Sequence, residues 1–399
     1  MNFQLPEEAA RSIDEQALTF IDALAPEPEN PKDPKGTFRP NYLRAVASVA
    51  ALELPTGWIN PIFGPDDHEV ARFFPEFDPA IGLSETSYDS FIKLCRQLYE
   101  AAQLKFTVSE TFVVDRCFEW LRQRHLESTR FGLIDFVFDE CARHVTPLDI
   151  WVPVIGLEVE NELELGTVIL KPILQADWRR WVSDWYTRLG AEIPRLRQFL
   201  LDIESDCLTA AVCRTVAESI KAVEVAIEKT EEALDVLRYF SPSNRYPSTP
   251  AFCSIAGTEP VIRPKHLILQ NNYLVSAGIT LNTLRARHPL RIDESLMSKM
   301  RGVGFDTLAS LLKKSASDRT ELQNDFLKAL AIYSKSSIAQ NLTDKLLYAV
   351  LTLESLLLKD QSESLQKHIG ERMAFMIETL LRPELQLLTI TKRHMHCGV

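Results

Sequence analysis

Residues 341–381 read NLTDKLLYAVLTLESLLLKDQSESLQKHIGERMAFMIETLL. Two helical periods are written into this stretch. Leu342, Leu346, Val350, Leu353 and Leu357 recur every three or four residues and make one apolar stripe. Leu365, Ile369, Met376 and Leu380 make a second. Glu354 lies at the edge of the first stripe, and Arg372 falls on the same face as the second. A carboxylate placed there loses hydration, and a cation on the neighbouring helix offsets the loss. The expectation is a pair of packed helices with their apolar stripes inward, tied by a structural ion pair between Glu354 and Arg372. The alternative is that both side chains reach past the apolar face to solvent.

Working outward, helical periods are expected over 295–314, 318–334, 338–359 and 363–381, the last ended by Arg382-Pro383. Helices joined by short loops predict an antiparallel bundle over 291–399. Upstream, residues 151–290 read as a mixed region. WVPVIGLEVENELELGTVILKPIL (151–174) alternates apolar and polar residues around Asn161-Glu162, which predicts a β-hairpin or two short strands. Trp178, Trp181 and Trp185 share one face of a following helix, most simply a core stripe. A long helix is expected from about Leu208 to Phe240, with Lys221, Glu224, Glu228, Lys229, Glu231 and Glu232 on a solvated face. Residues 250–284 read as extended. Residues 1–150 read as a helical N-terminal region, with helices over 41–52 and 87–127. PEPENPKDPKGTFRP (26–40), with five prolines, is a loop, and 60–82 is a second irregular stretch. The fold class expected is therefore mainly α with a small β portion, in three regions: 1–150, 151–290 and 291–399.

The composition suits a globular chain, 46% apolar and 25% charged over 399 residues. The net charge of −11 argues against non-specific nucleic-acid binding by the whole surface. Residues 290–399 hold 15 Lys/Arg against 13 Asp/Glu, leaving 29 against 42 for the rest. A polyanion would therefore meet the C-terminal third first. Seven scattered cysteines without a CxxC pair predict a reduced, cytoplasmic chain without a Cys-based metal site. The N-terminus lacks the apolar core of a signal peptide, and LLYAVLTL (346–353) is too short to span a bilayer, so no membrane association is expected.

Four pieces of the C-terminal third together resemble the HEPN domain in its Apea-like form: MRGVGFDTLASLLKK, ELQNDFLKALAIYSKSS, NLTDKLLYAVLTLESLLLKDQSES and LQKHIGERMAFMI. The resemblance runs from about Met300 to the end. It implies a four- or five-helix bundle that works as a homodimer. It also implies a metal-independent endoribonuclease without cofactors, of the kind found in bacterial antiviral defence and toxin–antitoxin systems, with a cognate antitoxin or defence partner. The family's motif is Arg-x4–6-His near the start of the last helix. A histidine titrates near neutrality and can move the proton of an RNA 2′-hydroxyl or of the leaving oxygen. An arginine can hold the scissile phosphate and offset its developing charge.

Carried onto ITKRHMHCGV (390–399), the motif selects His396, Arg393 and His394 as catalytic candidates. The spacing departs from the family. Five positions before His396 stands Thr391, and Arg393 gives Arg-x2-His. On a helix i and i+5 lie roughly 140° apart but i and i+3 roughly 60°, so Arg393 and His396 can share a face in a different geometry. Two readings stay open. One is a working or degenerate ribonuclease with residues 1–290 as sensor or regulator. The other is a non-catalytic HEPN-fold dimerisation scaffold with a shortened C-terminus.

Other motifs are weaker. LRARHPLR (284–291) is the most basic short patch, and Arg285, Arg287 and Arg291 are its candidate RNA or partner contacts; a solvated loop is the plainer reading. Arg301-Gly302-Val303-Gly304-Phe305 lacks the strand and third glycine of a dinucleotide loop and reads as a helix start or hinge. His125 and His144 have no ligand spacing, so no metal site is expected.

Overall fold

A computed structural model describes residues 3–27, 60–63, 69–177, 179–180, 183, 207–241, 253–256, 265–270, 273–279, 290–339 and 341–357. Among these residues the chain is mainly helical with a smaller β portion. It divides into two compact units: residues 1–150 with 214–225, and residues 151–213 with 226–399. The helices expected at 41–52 and 363–381, and the Trp178, Trp181 and Trp185 stripe, fall outside the described residues.

Among its described residues the first unit is built on α1 (Glu7–Asp22), α2 (Glu85–Ala101), α3 (Glu110–His125) and α4 (Leu133–His144). Their apolar positions meet in one core of Ile13 and Ala17, Phe91 and Leu98, Phe118 and Trp120, and Leu133 and Val137. The period expected over 87–127 is two helices. Gln103 in the left-handed region (φ 52°) ends the first, and the Ser109 hydroxyl accepts the Phe112 N–H at 3.2 Å to start the second. A four-stranded antiparallel sheet lies beside them, in the order β1 (Ala25–Pro26), β4 (Ile81–Ser84), β3 (Glu69–Phe74), β2 (Asn60–Phe63). The stretch 60–82 is thus partly sheet, not irregular. Its prolines masked the signal: Pro61 sits on the edge strand, where a missing N–H is tolerated.

In the second unit, the order β10 (Ser254–Ile255), β5 (Thr146–Ile155), β9 (Thr209–Ala217), β8 (Val168–Pro172), β7 (Leu163–Leu165) makes a five-stranded sheet, whose strands β5 and β9 continue into residues of the first unit. The helix expected from Leu208 begins only at Ser219, as α5 (Ser219–Tyr239). Residues 209–217 are β9, buried at five successive positions from Thr209 to Cys213. A strand covered on both faces loses its alternation, and Thr-Ala-Ala-Val-Cys then looks as helical as it does extended. Glu218 separates the two elements. Its buried carboxylate accepts the N–H groups of Ile220 (2.7 Å) and Lys221 (3.1 Å), capping α5.

The hairpin turn also differs from its expected place. β6 (Leu157–Val159) leaves the sheet after Gly156 and pairs in parallel with β13 (Leu290–Ile292). The reversal falls at Gly166-Thr167, between β7 and β8, not at Asn161-Glu162. Gly166 takes φ 62°, which glycine adopts freely at the first position of a two-residue hairpin turn. A second hairpin pairs β11 (Lys265–Gln270) with β12 (Tyr273–Ile279).

Beyond β13 come α6 (Glu294–Gly302), α7 (Phe305–Lys313), α8 (Glu321–Ile338) and α9 (Leu342–Leu357). Gly304, at φ 101°, is the N-cap of α7, the helix start read from the glycine pair. Thr320 and Gln323 close a capping box at the head of α8. α9 follows α8 closely, and the Ser336 hydroxyl donates to the Lys345 carbonyl at 3.1 Å. The buried positions of α9 are Lys345 and Thr352. Leu342 (65% exposed) and Leu346 (66%) point to solvent. The expectation that this stripe faces inward fails over its first turns, because periodicity shows which face is apolar and not which face the neighbouring helix covers.

Candidate functional site: a buried ionic cluster between α5 and α8

The last two turns of α5 carry Glu231, Asp235 and Arg238 at i, i+4 and i+7, which places all three on one helical face. Leu234 and Leu237 beside them are fully buried, so this polar face borders the core. Arg238 is almost wholly buried. Its Nη1 donates to Glu231 Oε2 at 2.9 Å and to Asp235 Oδ1 at 3.0 Å. Its Nε donates to the Cys253 carbonyl, next to β10, at 2.9 Å. Two carboxylates and a carbonyl therefore draw on one guanidinium.

From α8, the hydroxyl of Ser334 makes a short hydrogen bond to Asp235 Oδ1. The same hydroxyl lies 3.1 Å from the Ala331 carbonyl. One turn on, Ser337 donates to the Arg238 carbonyl at 3.5 Å. The rings of Tyr239 and Tyr333 meet edge to face at 6.0 Å, and Phe240 meets Phe305 at 5.8 Å. Polar and aromatic contacts thus join α5 to α7 and α8.

Burial dominates the electrostatics. It pushes the Asp235 carboxyl from 3.8 up to about 6, and Glu231 adds to the rise, while Ser334 and Arg238 oppose it. Burial also pulls the Arg238 guanidinium down, but the neighbouring Cys253, Glu231 and Asp235 hold it above its ordinary value. The Cys253 thiol is pushed up by burial against the pull of Arg238. The outcome is a carboxyl that changes charge near neutrality beside a cation that does not.

The candidates named from sequence lie elsewhere. Arg393, His394, His396, Arg372, Arg285 and Arg287 fall outside the described residues. Glu354 is half-buried on α9. Arg291 is exposed on β13, with its guanidinium 2.8 Å from Glu160 and 3.9 Å from Glu158, so its charge is already countered by β6 and the residue after it. His125 meets Phe77 edge to face at 5.4 Å, and His144 packs on Phe112 at 5.0 Å with Nδ1 2.8 Å from the Glu140 carbonyl. The sequence reading places Glu231 on a solvated face and so does not find the cluster on α5. The i, i+4, i+7 spacing of two acids and an arginine beside Leu234 and Leu237 was the signal that could have found it.

Compared with known proteins, the chain matches no family model, no curated protein and no solved structure. Among the described residues no helix is long and apolar enough to cross a membrane.

Proposed function

We propose that the chain is a HEPN-type, metal-independent endoribonuclease or a degenerate relative of one, acting in bacterial defence or toxin–antitoxin biology as a homodimer, with residues 1–290 as its sensing or regulatory part. The observation that carries this reading is the run of four helices over 294–357, whose last pair is joined by three residues and holds the TDKLLYAVLTLESLL segment of the sequence resemblance. In this reading Arg393 steadies the scissile phosphate, and His396 or His394 moves the proton of the 2′-hydroxyl. Arg285, Arg287 and Arg291 lie upstream as RNA or partner contacts.

The test is cleavage of single-stranded RNA by the full chain with a chelator present. Cleavage that falls at least a hundredfold in the Arg393→Ala, His396→Ala double variant is the expected result. A double variant as active as the parent removes those residues from the mechanism.

A specific feature favours the scaffold reading beside it. Leu342, Leu346, Leu347 and Leu351 are exposed on α9, a surface suited to a second copy of the chain. Light scattering that reports a dimer, together with no RNA cleavage at any pH, would select the scaffold. A monomer at high concentration would exclude it.

A further inference from the structure

We propose that Asp235, Arg238 and Ser334 form a proton-operated clasp between α5 and α8, which tightens when the Asp235 carboxylate takes up a proton and loosens when it gives one up. The inference does not rest on the ribonuclease reading.

The geometry supplies the reason. Arg238 Nη1 is shared by Glu231 Oε2 at 2.9 Å and Asp235 Oδ1 at 3.0 Å. Glu231 alone balances the guanidinium charge. Ionised Asp235 therefore adds one uncompensated negative charge to a site where its own side chain is 16% exposed and that of Arg238 is 4% exposed. Such a charge is costly away from water. Protonation removes it without breaking the cluster. Arg238 Nη1 and Ser334 Oγ both reach Asp235 Oδ1, so a proton on that oxygen is placed for Ser334 Oγ to accept, while the oxygen keeps a lone pair for Arg238. The Ser334 hydroxyl can then turn to the Ala331 carbonyl, 3.1 Å away.

The facing groups leave this step to Asp235. On α5 they are Glu231, Arg238 and Tyr239; beside β10, Cys253; on α8, Ser334 and Tyr333. The Cys253 thiol and the Tyr333 phenol are both pushed up by burial and stay neutral at physiological pH, while Arg238 stays charged.

The sign follows from linkage. The clasped carboxyl titrates at about 6, above its ordinary 3.8, so the clasped state holds the proton more firmly than an opened one. Opening becomes rarer as pH falls through 6, and the gain is complete below 3.8. Between pH 7.5 and pH 5 the opening equilibrium shifts by about tenfold toward the clasped state.

The experiment is amide hydrogen exchange of the full chain across a pH series, corrected for intrinsic rates, on peptides covering the last turns of α5 and of α8. About tenfold stronger protection at pH 5 than at pH 7.5 is expected, with Asp235→Asn losing the pH dependence. The same pH dependence in Asp235→Asn, or none in the parent, overturns the clasp. Should Asp235→Asn fail to fold, Ser334→Ala decides. Removing the hydroxyl that favours the ionised form must move the midpoint to higher pH, and an unmoved midpoint overturns the proposal.

Discussion

Asp14 on α1 accepts the backbone N–H of Ile134 at 3.1 Å, so the start of α4 is capped by a side chain 120 positions earlier in the chain. The N-cap position itself is Gly132, which brings no side chain to the task. A Cβ on Gly132 would stand 2.5 Å from Asp14 Oδ2. The glycine therefore keeps space for a cap supplied from elsewhere.

Asp14→Ala should cost about 1 kcal/mol, the usual loss for a helix cap. Gly132→Ala should cost a similar amount, because its methyl displaces the carboxylate. The double variant should cost clearly less than the two together. Burial pushes the Asp14 carboxyl up in spite of its hydrogen bonds to Ile134 and Leu133. Asp14→Asn, which keeps an acceptor oxygen without the charge, should be the mildest of the set. Urea unfolding of all four variants checks the series, and strict additivity would show that the two residues act apart.

Arg72 on β3 is the corresponding ion-pair centre of the first unit. Its guanidinium reaches Glu69 Oε2 at 3.0 Å and Asp115 Oδ1 at 2.7 Å, and lies 4.9 Å from the Phe118 ring centre. Arg72→Ala takes the balancing cation from the nearly buried Glu69 and should destabilise by about 3–5 kcal/mol. Arg72→Ala with Glu69→Gln should recover a good part of that loss. A denaturation midpoint for the single variant within 0.5 kcal/mol of the parent, an ordinary surface-mutation value, would place this cluster outside the stabilising core.

Gly166 combines a positive φ with a close neighbour. A Cβ there would approach Leu312 Cβ of α7 to 2.7 Å. Gly166→Ala should cost about 2–3 kcal/mol, from left-handed strain plus overpacking. Leu312→Ala creates a cavity of its own, yet in the Gly166→Ala background its cost should shrink. A double-mutant cycle reads this coupling, and an interaction energy near zero would show that the turn relaxes away from α7.

Thiol chemistry should be silent at the described cysteines of the folded chain. All six described cysteines are buried and unbridged. Burial pushes the Cys141 thiol up to about 12, from 9.0. At pH 8 its thiolate population falls about a thousandfold relative to an ordinary thiol. Alkylation followed by mass spectrometry should leave Cys95, Cys117, Cys141, Cys207, Cys213 and Cys253 unmodified until denaturant is added. Prompt native labelling of Cys141 would contradict its packing.

What the sequence disclosed and what it hid follow from one distinction. Helices with a solvent face were legible: Leu308 and Leu311, or Ala329 and Leu330, recur where α7 and α8 are buried. Segments covered on both sides were not. Ala210 to Cys213 read as helix because a central strand has no polar alternation to betray it. Long-range choices were hidden too. That β6 would leave Asn161-Glu162 without a hairpin and seek Leu290–Ile292 depends on a partner 133 residues away. The stripe on α9 was visible, but its covering was not, so Leu342 and Leu346 were expected inside and are exposed. Ser334 gave no periodic sign, because a lone hydroxyl on a helix acquires meaning only once Asp235 is opposite it.

Residues 214–225 belong with 1–150, so the first unit is assembled from two separated lengths of chain. No single cut in the gene can therefore release it alone: a fragment ending at 225 holds both lengths but also carries residues 151–213 of the second unit. A fragment ending at 150 would lose Glu218, and with it the acceptor for the Ser109 N–H and the group that donates to the Thr107 carbonyl. Recombination or truncation at that junction would deliver a damaged piece.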